Sequence, residues 1–126
     1  MKLTESEIKL MNIIWKLEPV GSGQLVKICL ESFNWKKSTT YTFLKRLQER
    51  NAVKNDNTFV STLISKEEFQ KEVSINIVDE VFDGDFVKFA KAYLKNKSLS
   101  ANDTAQLKEL IGVENTEERK FVRFEV

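Results

Sequence analysis

The chain of 126 residues contains no histidine, a single cysteine and a single proline. Without histidine it lacks the commonest general base and the commonest metal ligand. One cysteine builds neither a disulfide framework nor a thiolate cluster. Because Cys29 lies in an apolar helical run, we expect it to be a buried, inert thiol. We therefore predict no bound metal and no cofactor.

Long apolar runs are also missing. No stretch of about 18 apolar residues is present, and no apolar signal-peptide core follows the start. We therefore expect a cytoplasmic protein without a membrane partner. The clustered carboxylates, such as Glu67 and Glu68, fall at helix starts, helix surfaces or the tail, and no glycine-rich phosphate loop or nucleophile–base pair accompanies them. We predict that the protein is not an enzyme.

Charge is balanced in total but uneven along the chain. The 20 basic and 19 acidic residues leave a formal net charge of +1. Between residues 36 and 54, however, Glu49 is the only acid among six lysines and arginines, whereas acids outnumber bases after residue 65. This asymmetry indicates an anionic partner for the first half. Charge alone is equally consistent with an ordinary lysine-rich helix surface.

Apolar periodicity predicts three helices in the first 51 residues. The first begins at a capping box formed by Thr4 and Glu7 and ends before Pro19. The third begins near Lys37, and Asn51 is its expected left-handed C-terminal cap. These helices follow one another through short connections, as in a helix-turn-helix.

After the third helix, the spacing of apolar residues changes from the helical period of 3.6 residues to the strand period of 2. Residues 52–54 and 58–63 are predicted strands, and the Asn-Asp-Asn sequence of residues 55–57 supplies the turn between them. The order helix, helix, short turn, helix, β-hairpin predicts a winged helix-turn-helix domain over residues 1–65.

The third helix carries residue types suited to DNA. Short polar side chains approach base edges, a helix N-terminus faces phosphate, and lysine and arginine neutralise the backbone. The predicted DNA-binding residues are Lys36, Lys37, Lys45, Arg50 and the wing residue Lys54, mainly for phosphates, and Ser38, Thr39, Tyr41, Thr42 and Arg46, nearest the bases or adjacent phosphates. The pattern alone leaves a solvated helix surface as an equal alternative.

After residue 65, three short helices carry more apolar side chains than they can bury alone, and Gly112 is expected to end the last one. A second copy would cover these side chains; the alternative is that the helices fold back on the first domain. We favour a mainly α fold with a small β-hairpin, in which residues 66–112 form a helical dimerisation domain. Residues 113–126 form a tail, either a short strand or a disordered end. The predicted interface residues are Phe69, Val73, Ile77, Val81, Phe82, Phe86, Phe89, Tyr93, Leu107, Leu110 and Ile111.

Three stretches carry a resemblance to a known family. They are residues 3–15 (LTESEIKLMNIIW), residues 35–47 (WKKSTTYTFLKRL) and residues 63–69 (LISKEEF). Together they resemble the penicillinase-repressor (BlaI/MecI/CopY) family of winged-helix regulators, over roughly residues 3–112. The resemblance implies a homodimer that represses transcription by occupying a pseudo-palindromic DNA operator.

The resemblance also implies roles for particular residues. Thr39, Thr42 and Arg46 match the recognition-helix pattern of the family. Trp15 and Trp35 match its core tryptophans, and we interpret both as packing residues rather than DNA contacts.

The family resemblance also suggests modes of regulation. The copper-sensing branch uses paired Cys-x-Cys motifs, which one cysteine cannot supply. The resistance repressors are cleaved at an Asn-Phe bond, where this chain has Ala92-Tyr93; a regulatory protease is thus a partner by resemblance alone. The alternative to a repressor is a winged-helix protein-interaction module without specific DNA binding, and salt-dependent DNA affinity separates the two.

Overall fold

A computed structural model describes the backbone of residues 1–121 and the side chains of residues 1–112. The predicted fold class is confirmed, because the described chain is mainly helical with one small antiparallel sheet. The chain divides into two compact units, one from Met1 to Asp79 and one that starts at Glu80. In chain order the elements are α1 (Glu5–Leu17), β1 (Val20–Gly21), α2 (Ser22–Phe33), α3 (Lys37–Glu49), β2 (Val53–Asp56), β3 (Phe59–Thr62), α4 (Lys66–Val81), α5 (Phe86–Leu94) and α6 (Ala101–Phe121).

The predicted capping box is complete at the start of α1, and at the start of α4 the serine half of the predicted box is present. The Thr4 hydroxyl accepts a hydrogen bond from the backbone N–H of Glu7 at 3.2 Å, and the Glu7 carboxylate accepts the N–H of Thr4 at 2.8 Å. At α4, the Ser65 hydroxyl accepts the N–H of Glu68 at 3.1 Å. These hydrogen bonds satisfy backbone donors that have no partner within the helix, so Thr4 and Ser65 mark where α1 and α4 begin.

The core of the first unit is formed where α1, α2, α3 and the sheet meet. Trp15 and Trp35 pack against this core from its edge, which confirms their predicted packing role. The indole N–H of Trp15 also donates a hydrogen bond to the carbonyl oxygen of Ile64 at 2.9 Å, so its polar atom is satisfied. The buried core residues include Leu10, Met11, Ile14, Val20, Leu25, Cys29, Leu44, Leu47, Val53 and Val60.

The sheet contains a strand that the sequence did not predict. β1 pairs antiparallel with β3, which also pairs with β2, giving the order β1-β3-β2. The hairpin turn predicted over residues 55–57 is wrong by about two positions, since β2 continues to Asp56 and the turn consists of Asn57 and Thr58. Both turn residues have positive φ, of 53° and 69°, which is the type I′ geometry that matches strand twist.

Thr58 is an unfavourable residue for this turn, because a β-branched side chain at positive φ is strained. We expect Thr58→Gly to raise the free energy of unfolding by about 1 kcal/mol, since Asn-Gly is the preferred pair in such turns. Urea unfolding followed by circular dichroism measures the change. Thr58→Ala retains the Cβ atom and should gain less. A less stable Thr58→Gly variant would contradict the prediction.

The first unit extends to Asp79, beyond the domain boundary predicted at residue 65. Phe69 of α4 belongs to this unit, since it is only 6% exposed and packs on Trp15 with ring centroids 5.6 Å apart. Phe69 was predicted to lie in a dimer interface. Its position in the core of the first unit corrects that assignment, because a buried side chain is not available to a second copy.

The last helix is longer than predicted. α6 continues past Gly112 to Phe121, so residues 113–121 are helical rather than a strand or a disordered end. A single glycine lowers helix stability by about 1 kcal/mol without forbidding helical dihedrals, and thus does not by itself end a helix. Residues 122–126 lie outside the described part of the chain. None of the described helices combines the length and the apolar character that a membrane span requires.

Candidate nucleic-acid interface

One face of α3 is exposed and polar, while the other is part of the core. Thr40, Leu44 and Leu47 are buried on the inner side. On the outer side, four residues spaced i, i+3, i+4 and i+7 share a single face of the helix. These exposed residues are Ser38, Tyr41, Thr42 and Lys45. The fold therefore presents a row of short polar and basic side chains to solvent.

The N-terminus of α3 carries positive charge and no side-chain cap. Lys36 is the N-cap residue, and its side chain makes no capping hydrogen bond. The first turn contains no acidic residue, in contrast to α1 and α4. The first N–H groups of a helix have no partner within it and carry positive partial charge. With Lys36 and Lys37 beside them, these groups suit a phosphate.

Contacts within α3 orient several of its exposed side chains. The Lys37 ammonium lies 6.0 Å from the ring centroid of Tyr41, and the Arg46 guanidinium lies 5.4 Å from that of Phe43. The Thr42 hydroxyl donates to the Ser38 carbonyl oxygen at 2.9 Å, so its donor is occupied while its oxygen can still accept. Cation–π contacts of this kind hold a cation near the helix surface at modest energy, of about 0.5–1 kcal/mol at exposed sites.

An aromatic stack connects α2 to this surface. Trp35 lies between Phe33 and Phe43, with ring centroids separated by 4.9 Å and 5.0 Å respectively. The stack packs the start of α3 against the end of α2. Because the Arg46 guanidinium lies over the Phe43 ring, the stack also supports that arginine. A sequence shows that these residues are aromatic, but their mutual contact depends on the angle between the helices.

The remaining predicted residues occupy different environments. Thr39 is half-buried, at the edge of the exposed face of α3. Lys54 is exposed on β2 and lies on the outer face of the wing with Phe59 and Ser61. The structure thus keeps eight of the predicted positions on α3 or its N-cap accessible or partly accessible, and places Lys54 separately on the wing.

Arg50 has a partner inside the fold. Its guanidinium Nη1 lies 3.7 Å from Oε1 of Glu7, which is completely buried, and it donates a hydrogen bond to the carbonyl oxygen of Lys2. Arg50 therefore joins the C-terminal end of α3 to the start of α1. These contacts give Arg50 a role within the fold, and its predicted contact with phosphate stays a prediction. The sequence identified Glu7 as part of a capping box, but no sequence pattern linked Glu7 to Arg50.

The described side chains give little support for a metal site or a reactive cysteine. Among the side chains that the structure describes, no group of three or more histidine, cysteine, aspartate or glutamate residues could hold a metal ion. Burial raises the pKa of the Cys29 thiol, and the neighbouring Thr40 side chain opposes part of that rise. A thiol with a raised pKa is a poor nucleophile at neutral pH, so Cys29 contributes packing.

Most of the residues predicted for dimerisation are exposed, two of them on the part of α4 that belongs to the first unit and the others in the second unit. Phe82 and Phe89 are half-buried and contact each other edge to face, with ring centroids 5.4 Å apart. The other predicted interface residues, apart from Phe69, are exposed within the single chain, by 37% to 65%. These exposed residues are Val73, Ile77, Val81, Phe86, Tyr93, Leu107, Leu110 and Ile111.

Comparisons with known proteins find a matching family model, a related repressor and similar solved structures. The family model described as penicillinase repressor matches residues 3–112. The penicillinase repressor of Bacillus licheniformis is 23% identical over 114 residues, which are 87% of this chain and 89% of that protein. Among solved structures, the DNA binding domain of the repressor BlaI is 24% identical with a TM-score of 0.48, covering 53% of this chain and 87% of that chain.

A second similar structure is the Bacillus licheniformis BlaI monomeric form in complex with the blaP half-operator. It is 19% identical with a TM-score of 0.48, and the match covers 54% of this chain and 88% of that chain. The family assignment rests on the family model, which extends over most of the chain. The chain therefore belongs to the penicillinase repressor family, whose members are transcriptional regulators and not enzymes.

Proposed function

We propose that this protein is a transcriptional repressor that binds operator DNA in the cytoplasm as a homodimer. The observation that carries the proposal is the composition of α3 in a member of this family. Its exposed face combines short polar side chains with lysine and arginine, and its uncapped N-terminus lies between two lysines. Base reading and phosphate neutralisation need these two kinds of group at one surface.

The residues divide by the contact each one would make. Lys36 and Lys37 are positioned for a phosphate at the start of α3, and Lys45 for a phosphate further along the helix. Ser38, Tyr41 and Thr42, with Thr39 beside them, would lie in the major groove, where hydroxyl groups and methyl groups distinguish base edges. The planar guanidinium of Arg46 has a geometry that suits either a guanine base or a phosphate.

The homodimer is proposed from the exposed apolar side chains of α4, α5 and α6. A soluble monomer rarely leaves so large an apolar surface open, and a second copy would cover it. A two-fold axis would also double the DNA contacts of one small domain. It would place two α3 helices on half-sites about 34–36 Å apart, or a multiple of that spacing, which is a pseudo-palindromic operator.

Binding to DNA beside the protein's own gene tests the proposal directly. We would search that intergenic DNA for a short inverted repeat and titrate it with purified protein at about 50 and 200 mM salt. If a dimer makes six to ten phosphate contacts, affinity should fall about 10³- to 10⁵-fold between these concentrations, with two protomers per site. Weak binding, with the same affinity for DNA that lacks the inverted repeat, would contradict the proposal and favour a protein-interaction module.

Leu110→Asp should separate the dimer into monomers. Leu110 is 59% exposed within one chain, so an aspartate there costs little in the monomer but places a charge in the proposed interface. We expect the dimer dissociation constant to rise at least about 100-fold in sedimentation equilibrium, with operator affinity falling as a consequence.

A matched control is available on α2. Leu30 is also an exposed leucine, at 53%, but it belongs to the first unit. Leu30→Asp should leave the molar mass in solution unchanged. If the two variants dissociate equally, or if neither does, the apolar surface of the second unit does not form the interface.

Regulated proteolysis at Ala92-Tyr93 would meet a structural obstacle. Both residues lie within α5, which runs from Phe86 to Leu94. Proteases bind their substrates in extended form, so α5 would have to open before this bond could be cleaved. A regulatory protease is therefore suggested by the family resemblance alone.

A further inference from the structure

A groove between α1 and α2 takes no part in the proposed DNA contacts. Its volume is about 440 Å³, and it is lined by residues of these two helices alone. Ile13, Leu17, Ile28 and Phe33 supply its apolar surface, and Lys9 and Lys16 supply its cations. No residue of α3 or of the wing lines it, although Phe33 also belongs to the aromatic stack that contacts α3.

The apolar face of α1 extends beyond the buried core to the groove. Leu10, Met11 and Ile14 are fully buried in the core of the first unit. Ile13 is half-buried and Leu17 is 41% exposed, and both lie along the groove. A surface helix of a small domain usually presents only polar residues on its outer side. Ile13 and Leu17 therefore bring the apolar face of α1 to the edge of the groove, where Leu17 stays partly open to solvent.

The charges of the groove are spaced along α1. Lys9 and Lys16 are seven residues apart on one helix face, a distance of about 10 Å along the axis. The Lys9 ammonium lies 5.4 Å from the ring centroid of Phe33, at the apolar surface, and 3.9 Å from Oε1 of the exposed Glu5. A small ligand with one carboxylate cannot pair with both lysines, and a phosphate backbone would leave the apolar surface uncovered.

We propose that the α1–α2 groove is a docking site for an acidic amphipathic helix of a partner protein. A helix lying along α1 would place apolar residues on Ile13, Leu17, Ile28 and Phe33. Acidic residues seven positions apart on the same face would have the spacing of Lys9 and Lys16. Charge complementarity along the groove and apolar contact on its floor thus specify the partner together. The site gives the protein a protein-binding surface that leaves α3 available to DNA.

A designed peptide tests this recognition without knowledge of the natural partner. The probe is a fluorescein-labelled, alanine-based helix of about 18 residues, with two glutamates seven positions apart and leucines between them at helical spacing. Its control has lysine in place of both glutamates. In fluorescence anisotropy with the full chain, we expect the glutamate peptide to bind about tenfold more tightly than the lysine peptide at low salt.

Charge reversal of the groove provides the decisive comparison. The variant K9E/K16E should invert the preference, so that the lysine peptide binds more tightly than the glutamate peptide. The variant K66E/K71E, which changes net charge equally on exposed positions of α4, should keep the original preference. L17E should weaken both peptides, because it removes apolar surface at an exposed position that the fold tolerates.

Other outcomes would overturn the proposal. If K9E/K16E does not invert the preference, the lysines do not select the peptide. If it weakens DNA binding more than K66E/K71E does, the groove belongs to the DNA interface. If it changes the molar mass of the free protein in sedimentation, a second copy covers the groove instead.

Discussion

Replacing Arg46 with alanine is expected to weaken operator binding about 10- to 100-fold. Arg46 lies on the accessible flank of α3, one residue after Lys45, and its guanidinium is held 5.4 Å from the Phe43 ring centroid. A bidentate contact from such a side chain to a base or a phosphate contributes about 1–3 kcal/mol. Titration of labelled operator at several salt concentrations measures both the affinity and its salt dependence.

Arg46→Lys distinguishes the two contacts that an arginine can make. Lysine retains the positive charge and its attraction to a phosphate, but it loses the planar pair of donors that matches guanine. If Arg46 reads a base, Arg46→Lys should lose most of the affinity, and the preference for the wild-type base pair should relax. If Arg46 contacts a phosphate, Arg46→Lys should retain most of the affinity. Arg46→Ala should then lower the salt slope, which is the steepness with which the logarithm of affinity falls with the logarithm of salt concentration, by about 0.9.

Lys71→Ala is the control for this experiment. It also removes one positive charge, but from an exposed position on α4 rather than from α3. We expect it to leave the salt slope unchanged and the affinity within about twofold. An Arg46→Ala variant that binds operator as the control does, with the same slope, would remove Arg46 from the interface.

Features that depend on local chemistry could be predicted from the sequence. Thr4 and Glu7 form the capping box that their spacing predicts, and Asn51 takes the positive φ expected of a residue that closes α3. These features follow from hydrogen bonds or dihedral preferences within a few residues. The order of helices and strands followed in turn, because it depends on where such local signals fall.

Features that depend on long-range contact were missed. β1 is only two residues long, and it exists because Val20 and Gly21 pair with Val60 and Phe59 of β3. Phe69 fits the apolar periodicity of α4, but periodicity does not distinguish contact with Trp15 from contact with a second copy. In the candidate site, the exposed residues of α3 were found because one helix face carries them all.

Charge was the least informative signal in the site. Arg50 lies in the same basic segment as Lys45 and Arg46, and all three residues look equivalent in the sequence. Only the fold shows that the carboxylate facing Arg50 is buried at the start of α1. Net charge indicates that a segment attracts anions, but it does not identify the anion that each side chain meets.

Arg50→Ala is expected to lower the free energy of unfolding by about 2–3 kcal/mol. Breaking a buried ion pair costs about 3–5 kcal/mol because it leaves one charge buried without its partner. Here Glu7 is completely buried, but the Arg50 side chain is 43% exposed and 3.7 Å away, so we expect a smaller loss. The variant also loses the hydrogen bond from Arg50 to the Lys2 carbonyl oxygen. Urea unfolding followed by circular dichroism measures the change.

The double variant Glu7→Gln/Arg50→Ala separates the charge effect from other losses. Glutamine retains the carbonyl oxygen that accepts the N–H of Thr4 in the capping box, but it removes the buried charge. If the isolated carboxylate causes the loss, Glu7→Gln should restore more than half of the stability in the Arg50→Ala background. No recovery would mean that packing or the Lys2 contact dominates. The same variants decide between the two assignments of Arg50, because a structural arginine changes stability and leaves the salt slope of operator binding intact. A lower slope with unchanged stability would instead return Arg50 to the phosphate contacts predicted from the sequence.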